Sequence, residues 1–354
     1  MVTQQRKTKS AKYLTVPTRP VIVDRDRSIT GILEKMEGAG LGARALAEAH
    51  RIWLDALGDN TTIYIAAGNG LIPAGMRRLL AYVIKNRFVD VLVVSGEMLF
   101  HDLHETLGRN HFQAHPSMDD EELESSAIER NGDILANSDE YREADEWIGG
   151  FSAQIEQRAY SGREFLHLLG RELAEIATED GVITSAYKSR IPIFCPDIGN
   201  SEICVGMAQS RFEKKTSVSF DLAQDTLEMM HIAQKSRSSC LLTIGEVGSS
   251  QEYIRLTDVA LNIIKATPRG HKYAVTIAPE TLCASGRTNG ALTETTQLFG
   301  RLAKNAATAF VRCDATIALP LIVTALSQTA AKYQKGRKRP NFAFTGREMA
   351  IEIP

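Results

Sequence analysis

The stretch TTIYIAAGNGLIPAG, residues 61–75, decides how the fold is read. Thr61 to Ala67 is a short apolar run without charge, the pattern of a strand buried on both faces. Gly68-Asn69-Gly70 breaks it, and Leu71 to Lys85 then carries helical spacing through Leu71, Met76, Leu79, Leu80, Val83 and Ile84. Pro73 suits a first helical turn, where its missing N–H costs nothing. Strand, glycine turn and helix make the unit that presents backbone N–H groups to a phosphate. The G-x-G pattern lacks a third glycine at the dinucleotide spacing, so a tight turn without a ligand is the plain alternative.

Working outward, the same alternation continues. Phe88 to Ser95, Ile191 to Pro196, Cys240 to Ile244, Tyr273 to Ile277 and Ala309 to Val311 read as further buried strands. Ser28 to Leu57 reads as helix with a break at Gly38–Gly40, and Phe151 to Thr178 and Asp221 to Lys235 as helices. His101 to Trp147 is polar and acidic, and is expected to hold short helices in a partly exposed insertion. Strands alternating with helices pair in parallel through right-handed crossovers. The expected class is therefore α/β, a doubly wound, Rossmann-like and mostly parallel sheet. Most strands run into Gly, Ser, Asn or Asp. Ligands of such sheets bind beyond the carboxyl ends of the strands. Gly68–Gly70, Ser95–Gly96, Asn200, Gly245–Ser250 and Asp314 should then meet in one crevice.

The chain has 354 residues, 44% of them apolar, and a net charge of −2. That balance argues against nucleic acid or a membrane surface as the main partner. No stretch comes near the roughly 18 apolar residues of a membrane span, and the N-terminus lacks a secretory apolar core. Cysteines 195, 204, 240, 283 and 313 are scattered and form no C-x-x-C, the usage of reduced thiols in the cytoplasm. The expected layout is a disordered tail over residues 1–20, a single domain over 21–330, and a solvated basic tail over 331–354.

Several segments together resemble deoxyhypusine synthase. Ala186 to Pro196 (AYKSRIPIFCP) is similar to that family's AYKNxIPVFCP strand. Arg130 to Tyr141 with Trp147, Asp314 to Leu321 (DATIALPL) and Leu71 to Gly75 (LIPAG) match further family segments in the same order. His101-Asp102-Leu103 is similar to the bacterial deoxyhypusine synthase-like branch. The resemblance implies bound NAD, a small amine or amino-acid-like substrate, and a homotetramer with sites between paired subunits. The family oxidises spermidine with NAD, cleaves the imine, and carries an aminobutyl group on a lysine. It implies NAD contacts at Gly68, Asn69, Gly70, Val94, Ser95, Gly96, Asn200, Gly286 and Asp314.

The amine pocket differs from the family pattern. The family's lysine falls on Arg301, and arginine stays protonated and delocalised, so it cannot form an imine. The acidic positions that hold the polyamine fall on His101, Val205 and Thr295. The expected enzyme is thus an NAD-dependent transferase or oxidoreductase that forms an imine without a lysine-bound intermediate. The alternatives are a catalytically inactive NAD-binding homologue, or synthase activity kept by another mechanism. His101 is the candidate general base, Arg301 the binder of an acidic group. Glu246 and Glu252 are candidates to hold a cationic group. His111 and His115 have an i, i+4 spacing that suits a metal on a helix, but no metal is expected. Cys283 reads as a small core residue.

Overall fold

In the computed structural model, residues 15–261, 270–279, 302–345 and 347–353 are described. Two helices open it, α1 (Ile29–Met36) and α2 (Leu41–Gly58), on either side of the expected glycine break. Ser28 starts α1, its hydroxyl accepting from the Gly31 N–H.

Six strands form one parallel sheet: β1 (Thr62–Ala67), β2 (Val91–Val94), β7 (Ile193–Phe194), β9 (Ser239–Ile244), β10 (His271–Ala278) and β11 (Leu302–Arg312). Their order across the sheet is β11-β10-β9-β1-β2-β7. Every ladder between neighbours is parallel, with Ala67 level with Val94 on one side and with Ile244 on the other. All residues of β1 and β2 are buried, as their continuous apolar runs require of a sheet covered on both faces.

Alternate residues feed two cores. Ile63, Ile65, Leu92, Val94, Leu242 and Ile277 pack with α2, with α3 (Arg77–Lys85), α4 (Gly96–Thr106), α7 (Gly162–Ile176), α8 (Val182–Ser189) and α12 (Ala315–Tyr333). Tyr64, Ala66, Val91, Val93, Phe194 and Leu241 pack with α10 (Leu222–Lys235), α11 (Gly248–Ala260) and a C-terminal hairpin, β12 (Asn341–Thr345) and β13 (Glu348–Glu352).

Five expectations need correction. Leu71 to Lys85 is not one helix: a tight turn and a wide turn with Gly75 at φ 85° precede α3. Residues 101–147 are not only short helices. They hold α5 (Asp120–Ser125) and an antiparallel sheet of β3 (Phe112–Gln113), β4 (Ile128–Asn131) and β5 (Ile134–Asn137), in the order β3-β5-β4. Then come the long helix α6 (Ser138–Gln154) and a short parallel pair, β6 (Ala159–Tyr160) with β8 (Ser219–Phe220). Residues 151–178 are split between α6 and α7, because Asp225 takes the Gly162 and Arg163 N–H groups at 2.7 and 2.9 Å and fixes a new helix start. Finally, α12 is long and apolar enough by length and mean hydropathy, 1.2, to cross a membrane. Its Ala318, Leu319, Ile322 and Leu326 are fully buried in the core, so it serves as the inner helix of this sheet.

The C-terminal segment is also no solvated tail. The Arg337 guanidinium donates to the Thr61 carbonyl at 2.7 Å and to Asp90 Oδ2 at 2.5 Å, and neither of the paired side chains is exposed. Phe342 of β12 is fully buried, anchoring the hairpin in the core shared with α10 and α11. Asp90 also accepts from the Ile63 N–H, so this ion pair ties the last segment to both central strands. Removing one member of a buried pair strands the other charge. Asp90→Ala is expected to cost about 3–5 kcal/mol of unfolding free energy, read from the shift of a urea unfolding midpoint.

Candidate functional site

Because all six strands run the same way, their carboxyl ends share one edge. The loops there are stitched together by close contacts. Gly68 donates its N–H to the Ile244 carbonyl at 2.9 Å. A Cβ on Gly68 would lie 2.4 Å from the Glu246 carbonyl oxygen, so only glycine lets the β1 and β9 loops meet. The Gly96 N–H donates to Asp197 Oδ1 at 2.9 Å, and the Ser249 hydroxyl donates to Asp197 Oδ2 at 2.7 Å. One carboxylate therefore joins the loops after β2, β7 and β9.

The expected nucleotide residues fall at this edge in different states. Gly70 is open: a Cβ there would meet nothing within 4 Å. Asn69 Nδ2 donates to Glu97 Oε2 at 2.7 Å. Val94 is fully buried, so only its backbone can face a ligand. Ser95 caps α4, its hydroxyl accepting from the Met98 N–H. Gly96 is crowded, with Ser201 where a side chain would go. Asn200 is exposed on the short turn Ile198–Asn200. Asp314 caps α12 through Thr316 and follows β11, three strand positions from β1. Gly286, Arg301, Cys283 and Thr295 lie outside the described residues.

Glu246 has an exposed side chain and packs by its backbone. Glu252 pairs with Arg255 one turn on in α11, and so already faces a cation of its own chain. Val205 is exposed on α9 (Glu202–Lys214). His111 and His115 flank β3, so the helix face their spacing suggested does not exist. His115 turns to Ser117 instead.

His101 sits in a network the sequence reading missed. Its Nε2 lies 3.9 Å from Glu97 Oε1, and its Nδ1 lies 3.1 Å from His111 Nε2. The Tyr141 hydroxyl of α6 is 3.4 Å from His101 Nδ1 and 3.3 Å from His111 Nε2. His101 and Asn69 hold the Glu97 carboxyl below the usual carboxylate range. A run from Asn69 through Glu97 to His101 thus leads away from the glycine turn.

Acids surround this run. Tyr141 is kept as a phenol by burial and by the nearby Glu129, Glu202, Glu97 and Glu105. Asp145 is pushed up to about 6 by burial and by Glu202. The helix crossing explains the pair: a Cβ on Gly206 would lie 2.3 Å from the Asp145 carbonyl, and one on Gly149 would lie 2.8 Å from the Gly206 carbonyl. Two glycines let α6 and α9 touch, and the acids a turn away come with them. Glu97, Glu105, Glu129 and Glu202 thus gather near Tyr141 from α4, β4 and α9, with Asp145 of α6 beside Glu202. The available sequence signal was Glu97, His101 and Glu105, spaced four apart on one face of α4.

The family model for deoxyhypusine synthase matches residues 31–326. A Methanosarcina mazei protein named probable deoxyhypusine synthase 2 is 34% identical over 345 residues, covering 96% of this chain and 97% of its own. A deoxyhypusine synthase-like protein of the bacterium Elusimicrobium minutum is 29% identical, over 86% of this chain and 82% of its own. An Entamoeba histolytica protein, solved as a candidate deoxyhypusine synthase, superposes with a TM-score of 0.61 at 15% identity, covering 89% of this chain and 98% of that one. The fold and the length of these matches leave one assignment: the chain belongs to the deoxyhypusine synthase family, a family of transferases.

The raised Asp145 value carries a sign. Its folded pKa, about 6, lies above its ordinary value, so folding favours the protonated acid. The stabilising effect of that proton is present at low pH and is lost as pH rises through the folded value. Asp145→Asn is expected to raise the melting temperature at about pH 8 and to leave it unchanged at about pH 3. Equal melting temperatures at both values would contradict the strained pair.

Proposed function

We propose that this protein is an NAD-dependent transferase or oxidoreductase acting on an amine or amino-acid-like substrate through an imine, without a lysine-bound intermediate. The observation that carries the reading is the run Asn69–Glu97–His101, which joins the glycine turn to a nest of carboxylates. A glycine turn suits a phosphate, a nest of carboxylates suits a cation, and a histidine between them suits proton transfer.

The residues at the edge fit a dinucleotide. The open side of Gly70 leaves room for a phosphate at the β1 turn, while Gly96 already donates to Asp197. Gly68, Asn69, Gly70, Val94, Ser95, Asn200 and Asp314 would hold the nucleotide, with Gly286 beyond the described residues. Bound NAD supplies hydride acceptance at the carbon that bears the substrate nitrogen. Glu97, with Asp145 and Glu202 behind it, would hold the cationic substrate, and His101 Nε2 would take a proton from the amine. Arg301 stands where the family has its lysine; it would position an acidic group of substrate or acceptor, and Glu246 would approach from the β9 loop. A cytoplasmic location is proposed on the free thiols of Cys195, Cys204, Cys240 and Cys313.

The second reading is a nucleotide-binding homologue without turnover. Arginine at 301 and the internal Glu252–Arg255 pair favour it. One experiment separates the two. The purified protein is denatured and the supernatant assayed for NAD; the native protein is then given NAD and a panel of amines while reduced nicotinamide is followed by absorbance. The first reading expects bound or bindable NAD and reduction with at least one amine. NAD without reduction supports the second, and no binding at all removes both. In the same assay Arg301→Lys is expected to leave spermidine unused; a gain of spermidine activity would show the pocket was misread.

The assembly is proposed to be a homotetramer, on the family's pattern. Val205 and Phe212 of α9 support this, being seven residues apart on one helix face and 56% and 90% exposed. Phe212→Glu is expected to yield a smaller species by light scattering coupled to size exclusion, and an unchanged mass would take this face out of the interface.

A further inference from the structure

Behind His101 lies a chain of polar groups that the proposed chemistry does not yet use. His111 Nδ1 is 2.8 Å from Glu105 Oε1, and His111 Nε2 is 3.1 Å from His101 Nδ1. The other oxygen of Glu105 lies 3.8 Å from Arg77 Nε. An ionised carboxylate only accepts hydrogen bonds, so His111 Nδ1 carries the proton and donates. The neutral His111 ring then offers a lone pair at Nε2, and His101 Nδ1–H donates to it. That leaves the His101 lone pair on Nε2, 3.9 Å from Glu97 Oε1 and outside hydrogen-bond reach of it, so that Glu97 attracts this nitrogen only once it has taken a proton. Every donor in the chain has one acceptor, and the order runs in one direction. Tyr141, held as a phenol, lies against the contact between the two rings, its hydroxyl 3.3 Å from His111 Nε2. Neighbouring His104 is fully buried and pushed down to about 3, so it stays neutral and adds no competing charge.

We propose that Glu105 and His111 are positioning residues that form a proton relay behind His101. They fix the His101 tautomer so that Nε2 is the basic nitrogen, and they lead its proton away from the crevice. This rests on the reading of His101 as the proton-handling group. The balance closes with one proton moved. A proton taken at Nε2 makes His101 an imidazolium. Its Nδ1 proton passes to His111 Nε2, and the His111 Nδ1 proton passes to the Glu105 carboxylate, 22% exposed, and from there to water. The relay returns to its starting tautomers when both rings flip or when the protons run back. Nothing is oxidised or reduced in the process.

The test needs neither nucleotide nor substrate. Long-range nitrogen–proton correlation spectra of the full-length, nitrogen-15-labelled protein report each ring tautomer, with signals assigned by their loss in His101→Gln and His111→Gln. The expected result is the Nδ1–H form for both His101 and His111 in the unaltered protein. The Nε2–H form at His101 would overturn the relay, whatever the variants do. Glu105→Leu, checked for an unchanged elution volume, should lose the Nδ1–H signature at His111 and then at His101. Retention of both signatures in that variant would also overturn it. Failure to bind NAD would sink the proposed function and leave these tautomers as they are. A wrong tautomer would sink the relay and leave NAD binding as it is.

Discussion

The side chains of β1 leave no polar face. Ile63 and Ile65 enter one core, Tyr64 and Ala66 the other, and the strand is hydrogen-bonded on both edges to parallel neighbours. A strand in that position cannot be joined to either neighbour by a hairpin. Each connection must cross a face as a helix, and each strand must end at the same edge. The shared edge of loops is therefore a consequence of burying β1, and what it can hold is decided by the first few residues after each strand. The ion pair of Arg337 with Asp90 works at the opposite end, closing the amino ends of β1 and β2 against the C-terminal hairpin.

At the functional edge, two turns that look alike from sequence divide the work. The Gly68 turn keeps an open side at Gly70, whereas Gly96 is crowded by Ser201 and its N–H is given to Asp197. A helix N-terminus has a limited number of unpaired donors, and an internal carboxylate that takes one of them lowers its pull on an external anion. The Asp197 carboxylate also receives the Ser249 hydroxyl, so the start of α11 is tied to the start of α4. The geometry thus leaves the β1 turn more open than the β2 turn to the anion of the proposed function, a distinction that glycine spacing alone could not draw.

Much of the sheet was legible because buried parallel strands are continuous apolar runs bounded by punctuation residues. The strands near residues 62, 91, 193, 240 and 273 lie where those runs lie. The strand ending at Arg312 was read short because its first half carries Lys304 and Asn305, exposed residues that periodicity takes for loop. The split of residues 151–178 was hidden because Asp225, more than sixty residues on, creates the second helix start. The same limit applies at the site. His101 could be singled out, but its partners His111 and Tyr141 reach it through a chain reversal and a small antiparallel sheet. Asp145 meets Glu202 only because Gly149 and Gly206 let two helices touch. Contacts made by tertiary packing leave no local period to read.

The acids around Tyr141 bear on what the crevice can hold. Asp145 Oδ1 and Glu202 Oε2 are buried atoms without a hydrogen-bond partner among the described residues, and Asp145 already resists ionisation. Like charges brought together at a helix crossing work against folding, and such arrangements concentrate at functional sites where a ligand offsets the repulsion. A cation is the ligand that would do so here. It would sit on the carboxylate side of His101, with the glycine turn on the other side of Glu97. Under the proposed function, an arginine at 301 changes which bonds can form during a reaction; it does not change the sign of the field these carboxylates set. On that proposal, the carboxylates and the histidine run suit a family member that keeps a preference for cationic amines while the covalent step is handled differently.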